Sequence, residues 1–134
     1  MLDRELDDSQ LPYCREHDIA VLAYSPLALG LLSGKIGPER EFSAGDQRRT
    51  HPRFSKENRL LIAEMLETFC PIAEAHRATL AQLVIAWTIH QPGVTHALCG
   101  ARNRQQAAEN AAAGEIALSA EELAAMTRAI PAIE

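Results

Sequence analysis

The sequence predicts an α/β fold, and only part of one. Two apolar runs with strand-like flanks, residues 19–24 and 94–99, stand among segments whose apolar residues recur at helical spacing. Strands alternating with helices imply parallel β/α units. Two strands are too few to close a barrel or form a well-covered sheet, so the remainder of the fold is missing from these residues.

Each element has its own signal. A helix is expected over residues 9–17, starting near Asp7 or Asp8, with Pro12 tolerated in its first turn. Asp18 supplies the turn that follows. Residues 19–24 are a nearly unbroken apolar run, suited to a strand buried on both faces, and Ser25 and Pro26 end it. Residues 38–55 are polar and charged, with Pro38, Gly45 and Pro52; so long a connection belongs to lids, binding loops or disordered segments. Ser55 then N-caps a helix carrying Leu60, Leu61, Met65, Leu66, Phe69 and Ile72 at helical spacing, which Pro71 is expected to kink or split.

Thr79 and Gln82 form a capping-box pattern. They open a helix with the stripe Leu80, Leu83, Val84 and Trp87, stopped by Gln91, Pro92 and Gly93. Residues 94–99 read as the second strand, ended by Gly100. A helix from Asn103 to Ala113 follows, ended by Gly114. Ser119 and Glu122 repeat the capping box and open a last helix with Leu123, Met126 and Ile130. Met1 and Leu2 are at most the stub of a third strand.

Bulk properties narrow the class. The 134 residues suffice for one domain with a modest core. At 47% hydrophobic the chain reads as globular, and at 4% aromatic its core has to be mostly aliphatic. A net charge of −5 argues against a nucleic-acid partner. No apolar run is long enough for a bilayer, and the acidic start MLDRELDDSQ lacks an apolar signal segment, which together suit a cytoplasmic protein without a membrane partner. Cys14, Cys70 and Cys99 are odd in number and far apart, so neither a disulfide framework nor a CxxC zinc site is supported, and small buried hydrophobes are expected instead. No metal site is expected: HExxH is missing, and the five histidines read as surface or structural.

Two segments carry chemistry, each following a strand. In α/β barrels such loops build the site, and the last two often bind phosphate. In residues 24–35, Gly30 and Gly34 permit tight backbone geometry, Lys35 offers positive charge, and Tyr24 at a strand end can stack on a flat ring. The same residues also fit a glycine-containing turn with an exposed lysine. In residues 100–110, a helix starting at Asn103 points its first amides toward the space beyond Gly100, a natural anion site. Arg102 and Arg104 flank that start, where the helix dipole disfavours cations unless an anion is present. Gln106, Glu109 and Asn110 share one helical face, which suits an adenine and ribose, or equally a solvated surface.

YCREHDIAVLAYSPLALGLLSGK and GARNRQQAAEN, with PRFSKEN and LAQLVIAW between them, resemble the C-terminal third of aldo-keto reductases over essentially the whole chain. The resemblance implies a TIM (β/α)8 barrel, of which residues 1–134 form a partial, single-domain C-terminal piece beginning near the end of the sixth strand. It implies NADP (NADPH) as cofactor and reduction of aldehydes or ketones by hydride transfer. Tyr24 is similar to the residue that stacks on the nicotinamide. Ser25, Leu27, Gly30, Leu32 and Gly34 match the loop along the pyrophosphate, and Lys35 a lysine near the phosphates. Gly100, Arg102, Gln106, Glu109 and Asn110 match the adenosine end, with Arg102 on the 2′-phosphate, which a planar fork of donors suits. Arg48, Arg49 or Arg53 is a further phosphate candidate, or part of a solvated basic loop.

There are departures. Asp18 stands where the family commonly has glycine, so its turn is expected to be less relaxed. Leu29 and Cys99 are unusual. The family's catalytic tyrosine, lysine, aspartate and histidine belong to the first part of the barrel, and neither Tyr13 nor Tyr24 matches the tyrosine. The expectation is therefore an oxidoreductase fragment with cofactor loops, no catalytic residues, weak cofactor binding and no activity alone. The rival reading is a non-catalytic assembly module that pairs through exposed strand edges with itself or with a missing N-terminal half.

Overall fold

The computed structural model describes residues 1–133. Helix α1 (Gln10–Glu16) leads into strand β1 (Leu22–Tyr24), helices α2 (Lys56–Ala75) and α3 (Leu80–Ile89), strand β2 (His96–Leu98), and helices α4 (Arg104–Ala112) and α5 (Ala120–Arg128). Single 3-10 segments lie at Ala28–Ser33, Gln47–Arg49, Pro52–Phe54 and Ala113–Glu115. The alternation is the expected α/β one. β1 and β2 pair in parallel, with Leu22 opposite His96, Ala23 opposite Ala97 and Tyr24 opposite Leu98. Among the described residues the sheet has only these two strands. Met1 and Leu2 add no third; they pack, partly buried, against the core.

The strands are three residues long, shorter than the apolar runs, and they are not buried on both faces. Ala23 and Ala97 are half-buried, and β2 packs on α3. On the opposite face Leu22, Tyr24 and Leu98 are 54%, 82% and 50% exposed. Residues alternate across a strand, so one face meets the helices while the other is left uncovered among the described residues.

The core lies between α2, α3 and α5. α3 is buried nearly all round, from Leu83 through Thr88. Its buried polar groups are satisfied: Thr88 Oγ1 donates to the Val84 carbonyl at 2.8 Å, and Trp87 Nε1 to Thr127 Oγ1 at 3.2 Å. The Thr79–Gln82 and Ser119–Glu122 capping boxes both form. Ser55 caps α2 by accepting the Asn58 N–H at 3.1 Å.

Three expectations need correction. Pro71 does not split α2, which runs unbroken to Ala75. An interior proline costs about 3 kcal/mol, and here Phe69 and Ala73, buried on either side of it, hold the helix together. The buried face of α2 is Asn58, Ile62, Met65, Leu66, Phe69 and Ala73, with Leu60 and Leu61 exposed, because contact with α3 sets the helix rotation. α4 ends at Ala112, one residue before the expected Ala113, and Gly114 does not stop the chain's turning but lies within the 3-10 turn Ala113–Glu115. Asp18 does turn in the left-handed region, at φ +54°, just past the α1 cap.

Candidate functional site

The segment after β1 is coiled tightly by unusual backbone. Ser25, Ala28 and Leu29 have φ of +53°, +47° and +57°, and Gly30 and Gly34 have +91° and +75°. A left-handed non-glycine residue costs about 1–2 kcal/mol. It persists where the surroundings over-determine it, which is common at ligand sites. Here the anchor is Leu31 and Leu32, wholly buried in the core directly after the strained residues. Ser33 Oγ donates to the Gly30 carbonyl at 2.6 Å and accepts the Lys35 N–H at 3.3 Å, which directs the chain toward Lys35.

The segment after β2 is braced by α4. Asn103 Oδ1 accepts the Gln106 N–H at 2.9 Å as the N-cap. Gln106 Oε1 accepts the Arg102 N–H at 2.8 Å, and Asn110 Nδ2 donates to the Gly100 carbonyl at 3.2 Å. Gln105 Nε2 holds Glu109 Oε1 at 2.9 Å, while Gln82 of α3 donates to the Glu109 carbonyl. The shared face read from spacing is real, and two of its members spend their hydrogen bonds shaping the loop that carries Arg102.

These two segments wall a single groove of about 810 Å³, within the size range of small-molecule sites. Ser25, Leu27, Gly30 and Lys35 line one side; Gly100, Arg102, Gln106, Glu109 and Asn110 line the other. Three expected residues are not on it. Tyr24 stands at the end of β1, on the open sheet face. The Leu32 side chain belongs to the core. Gly34 lies against α3, where an added Cβ would meet Leu80 Cδ1 at 2.8 Å.

The long loop supplies a third wall that spacing did not reveal: Arg40, Asp46, Gln47 and Arg48. Of the three arginines singled out there, Arg48 reaches the groove, Arg49 does not line it, and Arg53 pairs instead with Asp3. The loop is pinned. Arg59 of α2 donates to the Gly37 and Arg40 carbonyls at 3.1 and 2.7 Å, and Phe42 meets Phe54 edge-on at 5.6 Å. The sequence signal for this wall was the capped turn: Asp46 accepts the Arg48 N–H.

Lys35, Arg40, Arg48 and Arg102 thus face one space, a donor set fit for phosphate groups. Cys99 also lines the groove, and burial pushes its thiol up. All three cysteines are free and partly buried. Among the described residues no group of three His, Cys, Asp or Glu could hold a metal ion, and no helix is long and apolar enough to cross a membrane.

The sequence profile of the Aldo/keto reductase family matches residues 1–131. The chain belongs to that family. An NADH-specific methylglyoxal reductase of Escherichia coli is 36% identical over 134 residues, all of this chain and 40% of the relative. An aldo-keto reductase of Schizosaccharomyces pombe named for NADP(+) is 34% identical over 79% of this chain and 31% of its own length. The solved glycerol dehydrogenase of Gluconobacter oxydans superposes with a TM-score of 0.86 at 30% identity, covering 95% of this chain and 38% of that one. This aldo/keto reductase chain is therefore a portion of a TIM barrel, spanning about 40% of the length of such relatives. Members of the family typically use nicotinamide cofactors, and the names of these two relatives specify different ones.

Proposed function

We propose that this chain holds the phosphate-bearing end of NADPH for an oxidoreductase that reduces aldehydes or ketones by hydride transfer. The observation that carries the reading is that Lys35 and Arg102, 67 residues apart (102 − 35), line the same groove. Lys35 and the strained backbone before it would receive the pyrophosphate. Arg102 would grip the 2′-phosphate with its planar fork, on a loop that Gln106 and Asn110 hold in place. Glu109, on the same wall, is the acceptor suited to ribose hydroxyls. Tyr24, 82% exposed on the open sheet face, would stack on the nicotinamide. When bound, the cofactor supplies the hydride; these residues bind and orient it.

The proton-donating tyrosine and its lysine, aspartate and histidine neighbours have no counterpart in these residues. A missing general acid alone costs roughly 10²–10⁴-fold in rate. The chain by itself is thus a weak cofactor binder without reductase activity, and a cytoplasmic location belongs to the same proposal. Titration with NADPH and with NADH tests it: NADPH binds more tightly, and Arg102→Ala erases the difference. Equal affinities in the unaltered chain would refute the Arg102 assignment, and NADPH-dependent aldehyde reduction by the purified chain would refute the missing chemistry.

A second reading is favoured by the uncovered face of Leu22, Tyr24 and Leu98. An apolar sheet face next to unpaired strand edges recruits further strands. On this reading the chain is an assembly module, completed by the absent barrel strands or by a second copy. A concentration-independent, folded monomer in sedimentation would argue against it.

A further inference from the structure

Asp46 and Arg48 form an ion pair on the wall of the groove, beside Lys35 and Arg102. Arg48 is held in several ways. Its Nε and Nη2 donate to the two Asp46 carboxylate oxygens at 3.0 and 2.6 Å. Its backbone N–H donates to Oδ1 at 3.0 Å. Its guanidinium lies 4.8 Å over the Phe42 ring, on the side chain that anchors the loop. Asp46 is thus a two-oxygen acceptor presented to an arginine fork, which is also how phosphate is recognised. Arg48, through its side chain and then its amide, draws the Asp46 carboxyl down to about 2, and Arg102 adds to the pull. The carboxylate is therefore ionised at neutral pH.

We propose, resting on the cofactor reading above, that Asp46 is an internal stand-in for a ligand phosphate, holding the Arg48 guanidinium at the groove until a pyrophosphate replaces it. The exchange breaks the three side-chain hydrogen bonds from Arg48 to Asp46 and makes new ones to the ligand. Phe42 keeps the guanidinium in place through the exchange. The Asp46 side chain, 19% exposed, turns to water and gives up its cap on the Arg48 N–H, while its extended backbone stays at the head of the 3-10 turn. The pair is a built-in competitor: it keeps an empty groove from presenting an unpaired arginine, and it lowers affinity for any anion that Arg48 would take.

Isothermal titration of the full chain with inorganic pyrophosphate, at low ionic strength, tests this. Asp46→Asn removes the charge and keeps an oxygen for the cap. It is expected to bind pyrophosphate about twofold to fivefold more tightly than the unaltered chain, the range an exposed ion pair is worth. The gain should vanish when Arg48→Gln is added. Unchanged, weaker or undetectable binding in Asp46→Asn overturns the proposal. So does a gain that survives Arg48→Gln, since Asp46 would then merely repel the ligand. Circular dichroism checks the fold, and Asp46→Ser, which also retains a cap oxygen, carries the same expectation if the asparagine variant is misfolded. Titration with 2′,5′-ADP, against Arg102→Ala, separates the two ideas. Retained, Arg102-dependent binding of 2′,5′-ADP with pyrophosphate indifferent to Asp46 sinks only the stand-in.

Discussion

Replacing Gly34 with alanine tests whether this glycine joins the β1 loop to α3. Its φ is +75°, and an added Cβ would stand 2.8 Å from Leu80 Cδ1, below any normal contact. The left-handed backbone costs an alanine about 1 kcal/mol. The atom met is the tip of a flexible, half-buried leucine, so moving it aside costs about 0.5–1.5 kcal/mol, the range for an off-rotamer side chain. Reduced freedom of the unfolded chain returns about 0.4–1 kcal/mol. The net loss is then about 0.5–2 kcal/mol, a fall in melting midpoint of roughly 2–6 °C for a chain of this size. Thermal unfolding followed by circular dichroism measures it. Adding Leu80→Ala should recover the packing share and leave the backbone share, so the pair is non-additive. An unchanged midpoint in Gly34→Ala, or strict additivity with Leu80→Ala, would refute the close-approach account.

Other outcomes follow from the same geometry. Gly93→Ala should destabilise through a stiffer obstacle, since its Cβ would meet the Leu11 carbonyl oxygen at 2.7 Å, and backbone yields less than a leucine tip; urea unfolding compares the two. Asp18→Gly should raise stability by up to about 1 kcal/mol, relief of left-handed strain outweighing glycine's extra unfolded freedom; a lower midpoint would count against it. The Glu122 carboxyl lies below its ordinary value because it accepts the Ser119 N–H at 2.7 Å and, secondarily, pairs with His76 Nε2 at 2.9 Å. Its stabilisation is therefore complete above its ordinary value of 4.5 and is lost as pH falls through the lowered one, so Glu122→Gln should flatten the acid limb of a stability–pH curve measured in urea. Arg59→Ala removes the two hydrogen bonds to the Gly37 and Arg40 carbonyls, and amide exchange should quicken across residues 37–49 while α3 stays protected.

Local chemistry made much of the fold legible. The capping boxes at Thr79 and Ser119, the Ser55 and Asn103 caps and the turn at Asp18 each act within a few residues, so their side chains announce them. Most residues of the groove's two outer walls stand out in the sequence too, though on spacing alone they fit a glycine turn and a solvated helix face as well; it is the family resemblance that joins them. The third wall was legible only in part: residues 38–55 read as a lid or binding loop among other options and Arg48 is one of three candidate arginines, but nothing local points to Arg40, Asp46 or Gln47. Asp46 and Arg48 reach the groove only because Phe42 and Arg59 fold the loop back on α2, a contact between residues distant in sequence.

By itself the sequence determined the α/β order, the helix starts, the parallel pairing and the family, since all of these rest on short-range patterns of apolarity, caps and glycine. Tertiary structure alone decided which face of α2 is buried, why Pro71 is tolerated, that Leu32 serves the core and that one sheet face stays open. Those outcomes depend on what each element meets. A helix turns its best-packed side to its neighbour, and a strand face is buried only if other strands arrive to cover it.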